Sequence, residues 1–175
     1  LQNLGCESAL VLCAEDGMDE LSLNSPTQAV HLKRGHLQSR RFCPEDAGLS
    51  RAPLAAVKGG DAQHNAQILQ AIFHGEGGQL QPEYQREFAQ APRQLVLYNT
   101  AAALLTYGIT EDLKLGVDLA ADAIDKGYVA RKLSALQADA DTAAETHADL
   151  SKTDRAKTNS AAESISTPST HEVAA

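Results

Sequence analysis

Large apolar residues recur periodically only as far as Leu136, and this limits the part of the chain that can build a core. From Asp139 to Ala175 the composition turns to Ala, Thr, Ser, Asp and Glu, with Leu150, Ile165 and Val173 as the only large aliphatic residues and no aromatic. Such a segment buries too little apolar surface to offset its ordering entropy. The reading is one folded domain over residues 1–136, followed by a disordered tail or linker over residues 137–175.

Within the periodic part, Ser8 to Cys13 is an unbroken apolar run, SALVLC, as expected of a strand buried on both faces of a parallel sheet. It follows Leu1-Gln2-Asn3-Leu4-Gly5, which reads as the last turn of a helix with a Gly stop, so the sequence reads as beginning inside a larger fold. Ala29–Lys33 and Leu37–Phe42 form a predicted hairpin around Lys33-Arg34-Gly35-His36. Pro44 to Pro53 reads as a loop, with Arg51-Ala52-Pro53 held extended.

Three helices are expected. Asp61 caps the first, whose buried face carries Ile68, Leu69, Ile72 and Phe73 and which stops at Gly75. After a polar connection from Glu76 to Ala91, Pro92 opens the second as its first residue, and Leu95 to Leu105 is apolar nearly all round, ending at Gly108. Thr110 caps the third, with Glu111 and Asp112 in its first turn. Its buried face is Leu113, Val117, Ala120 and Ile124, extended past Gly127 by Val129, Leu133 and Leu136.

Four carboxylates, Glu15, Asp16, Asp19 and Glu20, follow the end of the Ser8–Cys13 strand within six residues. In open α/β sheets ligands lie beyond the carboxyl ends of strands. Hard oxygen donors at this density suit Mg²⁺, which takes one or two protein carboxylates and completes its octahedron with water and phosphate oxygens. Adjacent Asp19 and Glu20 could each serve a different ion; a solvated acidic turn is the alternative on spacing alone. Gly59-Gly60 before a helix could present N–H groups to a phosphate, but neither GxGxxG nor GxxxxGK is complete, so a structural turn and cap is the better reading.

Other chemistry finds little support. The six His residues lack zinc-site spacing, and Ser22 and Ser25 lack a GxSxG context. Cys6, Cys13 and Cys43 are an odd set without CxxC, as expected of reduced thiols in structural roles. A formal net charge of −8 argues against nucleic acid, and no apolar run is long enough for a membrane span. The amino end has no signal-peptide pattern, so a cytoplasmic protein is expected.

The motifs, taken in order, resemble one family. Asp16-Gly17-Met18-Asp19-Glu20-Leu21-Ser22-Leu23 with Pro26-Thr27 is similar to the DGLDELS…PT segment of anthranilate phosphoribosyltransferases. Pro44-Glu45-Asp46-Ala47-Gly48-Leu49 with Arg51-Ala52-Pro53-Leu54 resembles their PEDFGL…RAPL stretch. Lys58-Gly59-Gly60-Asp61 through Asn65-Ala66, Leu97-Tyr98-Asn99-Thr100-Ala101-Ala102-Ala103-Leu104 and Ala123-Ile124-Asp125-Lys126-Gly127 complete the series over Leu1 to Leu136.

The resemblance implies an α/β fold: the carboxy-terminal part of a nucleoside phosphorylase/phosphoribosyltransferase catalytic domain, with the amino-terminal helical domain absent. It implies transfer of a phosphoribosyl group from phosphoribosyl pyrophosphate to anthranilate in tryptophan biosynthesis, with Mg²⁺ held by Asp19 and Glu20. Full-length members are homodimers. Their GTGGD diphosphate loop and the groups that hold anthranilate belong to sequence expected before Leu1, so this chain by itself is expected to be incomplete and inactive. The alternatives are a non-catalytic binding relative of the same fold, which the acidic balance disfavours where the ligand is nucleic acid, or a non-functional gene fragment.

Overall fold

The computed structural model describes residues 1–73 and 90–140, so the expected Glu76–Ala91 connection lies almost wholly outside the described residues, as do the helix stop at Gly75 and residues 141–175 of the expected tail. The chain divides into a compact unit, Leu1–Ala130, and a second unit, Arg131–Ala175. In the second, the described residues 131–140 are helical, and Leu136 is exposed rather than part of a buried face.

The first unit opens with a 3₁₀ turn, Gln2–Leu4, closed by Gly5 at φ 84, a left-handed position natural to Gly. Three strands follow, β1 (Ser8–Ala14), β2 (Thr27–Lys33) and β3 (His36–Phe42). The β2–β3 hairpin forms as predicted, turning through Arg34 and Gly35 at φ 50 and 79, the paired positive values of a two-residue turn.

The expectation for β1 is corrected. The sheet has the order β1-β2-β3, and both pairings are antiparallel. Leu10 and Leu12 pack on the core while Val11 between them is 58% exposed, beside its partner Val30, also exposed. The physical reason is the alternating geometry of a strand: an apolar run names no face, and here one face meets a helix while the other is open.

Helices α1 (Ala62–Phe73), α2 (Gln90–Tyr107) and α3 (Leu113–Asp125) build the other layer. Asp61 caps α1 as expected, its Oδ1 accepting the His64 N–H at 2.8 Å. Ile72 is buried on this helix, whereas Leu69 is 42% exposed, so its buried face is narrower than predicted. Helix α2 begins two residues before Pro92, which still lies in the first turn, where no intrahelical N–H bond is needed. It buries Leu97, Tyr98, Ala101, Ala102 and Leu105. At its end, Gly108 at φ 84 and the bonds from Gly108 N to Leu105 O and Ile109 N to Leu104 O make a Schellman stop.

The cap of α3 is Asp112 rather than Thr110: its Oδ1 accepts the Lys114 N–H at 2.7 Å, while buried Thr110 accepts the Asp112 N–H. A carboxylate at this position also complements the helix dipole. The predicted face of Leu113, Val117, Ala120 and Ile124 is buried, and Val129 packs against the same core.

The crossing of α2 and α3 is set by Gly116. A Cβ there would stand 2.8 Å from the Ala101 Cβ and 2.9 Å from its Cα, closer than side-chain carbons approach. Gly116→Ala gains about 1 kcal/mol of helix propensity. Overpacking against a backbone atom costs about 1–3 kcal/mol, so the expected result is a net loss and a thermal midpoint lower by a few degrees. An unchanged or raised midpoint would show that the helices separate freely.

Buried His31 on β2 supplies a pH test. It is 2% exposed, and neither ring nitrogen has a partner among the described residues. Burial, then Arg40 and Lys33, pushes its pKa below the ordinary 6.5, so the folded chain holds it neutral. Its contribution to stability is therefore complete above 6.5 and declines as pH falls from there towards the lowered folded value. Melting curves at pH 8 and in the acid range just below 6.5 should show a smaller acid loss for His31→Leu than for the parent.

Candidate functional site

The carboxyl end of β1 enters a tight loop whose backbone is closed on itself. Ala14 N–H donates to Met18 O, Glu15 N–H to Pro26 O and Gly17 N–H to Ala14 O, and Gly17 sits at φ 90. Only Gly takes that conformation without strain, which accounts for its place after Asp16.

The four carboxylates divide into two kinds. Asp16 is the loop's internal fastener: its carboxylate accepts Ser22 Oγ at 2.6 Å, Asn24 Nδ2 at 3.1 Å and Met18 N at 3.2 Å, while its own N–H donates to Ser25 Oγ. Partial burial works to raise its pKa, but the hydrogen bonds from Ser22, Asn24, Met18 and Ser25 together outweigh it and hold the carboxyl below the ordinary 3.8. Glu15 turns to the sheet, accepting Gln28 Nε2 at 3.1 Å and pairing with Arg41 at 3.2 Å. Asp19 and Glu20 are exposed, with no ion pair or side-chain hydrogen bond among the described residues.

Beyond Glu20 the chain plunges into the core. Leu21 and Ser22 are fully buried and Leu23 nearly so. Leu21 is held by a residue 78 positions away: Asn99 Oδ1 on α2 accepts the Leu21 N–H at 2.8 Å, and Asn99 Nδ2 donates to Leu21 O at 3.1 Å. The same Nδ2 donates to Leu95 O at 3.1 Å. One N–H and two carbonyls around the amide leave a single consistent orientation for it.

A second tie runs from the RAPL segment. Ala52 N–H donates to Leu23 O, and Arg51 reaches Asn24 O at 3.1 Å while gripping both Glu45 oxygens, at 2.6 and 3.3 Å. Glu45 belongs to a 3₁₀ turn, Pro44–Ala47, inside the stretch expected as a loop. The turn is closed by the Asp46 carboxylate, which accepts the Cys43 backbone N–H at 2.9 Å, while Asp46 N–H donates to Cys43 O. All three cysteines are free thiols, Cys6 and Cys13 exposed and Cys43 half-buried.

Gly59 and Gly60 are occupied by local structure. Gly60 N–H donates to Asn65 Oδ1 at 2.8 Å, and a Cβ on Gly59 or Gly60 would meet the Asn65 or His64 side chain at 2.8 Å. The turn-and-cap reading holds for this pair. Asn99 and Asp16 were missed as anchors by sequence reasoning. A signal for Asn99 was present: an amide inside LVLYNTAAALL is a poor choice for a buried helix unless it is hydrogen-bonded.

Among the described residues no group of three or more His, Cys, Asp or Glu is placed to hold a metal ion, and no helix is long and apolar enough to cross a membrane. The donor set at Asp19 and Glu20 nonetheless fits a hard divalent cation: two adjacent carboxylates with no partner among the described residues, on a loop tied at both ends.

The family described as "Glycosyl transferase family, a/b domain" matches residues 1–130. Anthranilate phosphoribosyltransferase from Rhodopseudomonas palustris (strain HaA2) is 43% identical over 136 residues, covering 78% of this chain and 37% of the relative. The enzyme of the same name from Parvibaculum lavamentivorans is 42% identical over 138 residues, again 37% of its length. Among solved structures, anthranilate phosphoribosyltransferase from Thermus thermophilus superposes with a TM-score of 0.58 at 30% identity, covering 72% of this chain and 33% of that one. The Saccharomyces cerevisiae enzyme in complex with PRPP and Mg gives 0.61 at 21% identity, over 73% of this chain and 33% of its own, a likeness of fold. The chain thus spans little more than a third of the relatives it matches.

The division among the carboxylates can be tested by stability. Asp16→Asn keeps the shape but removes the charge that accepts from several donors, and charged hydrogen bonds exceed neutral ones by about 1 kcal/mol each. Its thermal midpoint should fall clearly at pH 7. The deficit should shrink as pH falls below 3.8, because a carboxyl with a lowered folded pKa stabilises the fold only while ionised. Glu15→Gln, which loses only an exposed pair, should melt almost as the parent does.

Proposed function

The chain belongs to the glycosyl transferase a/b-domain family, and from that premise we propose that it is the carboxy-terminal part of an anthranilate phosphoribosyltransferase, supplying the cation-binding loop of the site. The observation that carries the reading is the freedom of Asp19 and Glu20 beside the committed Glu15 and Asp16. A solvated acidic turn needs no such division of labour, nor a tie to a buried helix.

The relatives carry the name anthranilate phosphoribosyltransferase, and the Saccharomyces cerevisiae enzyme has been seen with PRPP and Mg; a place in tryptophan biosynthesis is part of the proposal. For this chain the proposed reaction takes phosphoribosyl pyrophosphate and anthranilate as substrates, with Mg²⁺ as cofactor, in the cytoplasm. Breaking the C1–O bond of the donor leaves a diphosphate, and a bound divalent cation would neutralise the charge that develops on it. The part played by this chain's own residues is to present two negative charges at a fixed place. Asp16 and Leu21 hold the ends of the segment, and Asp19 and Glu20 project between them without internal partners among the described residues.

Because the chain covers 37% of the Rhodopseudomonas relative, the test is a chimera in which residues 1–130 replace the matching segment of that enzyme. Magnesium-dependent loss of anthranilate is the expected result. Asp19→Asn with Glu20→Gln in the chimera should reduce turnover by roughly tenfold or more, which corresponds to about 1.4 kcal/mol of transition-state stabilisation, while Glu15→Gln should do much less. Equal, small effects from both changes would return the loop to a solvated acidic turn.

A further inference from the structure

We propose that Asn99 is a positioning residue for the cation-binding pair, holding the Asp19–Glu20 carboxylates in place through the backbone of Leu21. This rests on the reading of Asp19 and Glu20 as ligands of a divalent cation. The argument is geometric. Leu21 is the residue directly after Glu20, is fully buried, and offers both its N–H and its C=O to one side chain, at 2.8 and 3.1 Å. That side chain is itself tied to its own helix through Leu95 O at 3.1 Å, so it cannot follow the loop. On the other side, the Asp16 carboxylate bridges Met18 N and Ser22 Oγ.

A free acidic loop would spread its carboxylates over many positions. A loop pinned at Leu21 spends that ordering cost during folding, and the cation meets charges already in place. Helix α2 thereby enters the function without touching the ligand. Its amide acts on affinity for the cation rather than on the identity of the donor groups.

The test uses the full chain, with Mn²⁺ as a paramagnetic probe that shares the oxygen-donor preference of Mg²⁺. Binding is followed by electron paramagnetic resonance in the presence of inorganic diphosphate, and folding by circular dichroism. Hydrogen exchange at the Leu21 amide reports the local bond. The parent should bind, and Asp19→Asn with Glu20→Gln should not. Asn99→Ala should bind roughly tenfold more weakly while still folded, with faster exchange at Leu21, a change equal to about 1.4 kcal/mol. Ile72→Ala, a core truncation on α1, should lose stability yet bind as the parent does.

Should Asn99→Ala fail to fold, Asn99→Asp decides the matter. It keeps the acceptor for the Leu21 N–H and the side-chain shape but loses both donated bonds, and weaker Mn²⁺ binding in its folded form is expected. Folded Asn99 variants that bind as the parent would overturn the positioning role while leaving the loop's ligand role standing. Equal weakening in Ile72→Ala would overturn it as well, by reducing the effect to general stability. If the Asp19/Glu20 double variant binds as tightly as the parent, the cation reading fails and the positioning role falls with it.

Discussion

The bidentate hydrogen bond between the Asn99 amide and the backbone of Leu21 joins the two layers of the first unit at the point where the acidic loop ends. Without it, the Leu21 N–H and C=O lose their partner in a place where each unpaired group costs about 1–3 kcal/mol. Burial of the segment from Leu21 to Leu23 depends on meeting that polar demand. Ser22 N–H on Thr27 and Leu23 O on Ala52 complete the same accounting, so the strap between β1 and β2 finds its partners in the elements around it.

Electrostatics around this strap follow a consistent pattern. Three carboxylates near the strap have donors assigned to them. Asp16 gathers hydrogen bonds from the loop, Glu45 is gripped by Arg51, and Glu15 faces Arg41 and Gln28. The Glu45 carboxyl lies below its ordinary range, through its own backbone N–H first and Arg51 next. In contrast, Asp19 and Glu20 are exposed and have no such donor among the described residues. Beneath the neighbouring turn, Tyr98 is fully buried with its hydroxyl unpartnered among the described residues, and burial drives its pKa upward, so it serves as a large neutral packing group.

The sheet shows what a strand's neighbours contribute. β1 is almost wholly apolar, but among the described residues it has one antiparallel partner and one helix-covered face. Val11 and Val30 therefore stand together on the opposite face, both exposed. Helix α2, apolar nearly all round, is better served: the sheet, α3 and the 3₁₀ turn Leu54–Val57 pack on it, and Gly116 lets α3 approach Ala101 closely.

Local chemistry was legible before any fold was known. The hairpin at Arg34-Gly35, the cap at Asp61, the stop at Gly108 and the Leu113–Ile124 part of the buried face of α3 each follow from a few adjacent residues or a short period, and each appears as read. The acidic loop and its family likeness were equally legible, because Asp16 to Leu23 is contiguous. What the tertiary structure decided is which face of β1 is covered, which of Thr110 and Asp112 caps α3, and above all which carboxylates are already spent. Those outcomes depend on partners distant in the chain, such as Arg41 for Glu15 and Asn99 for Leu21, and only the packing of helix against sheet brings such partners within hydrogen-bonding reach.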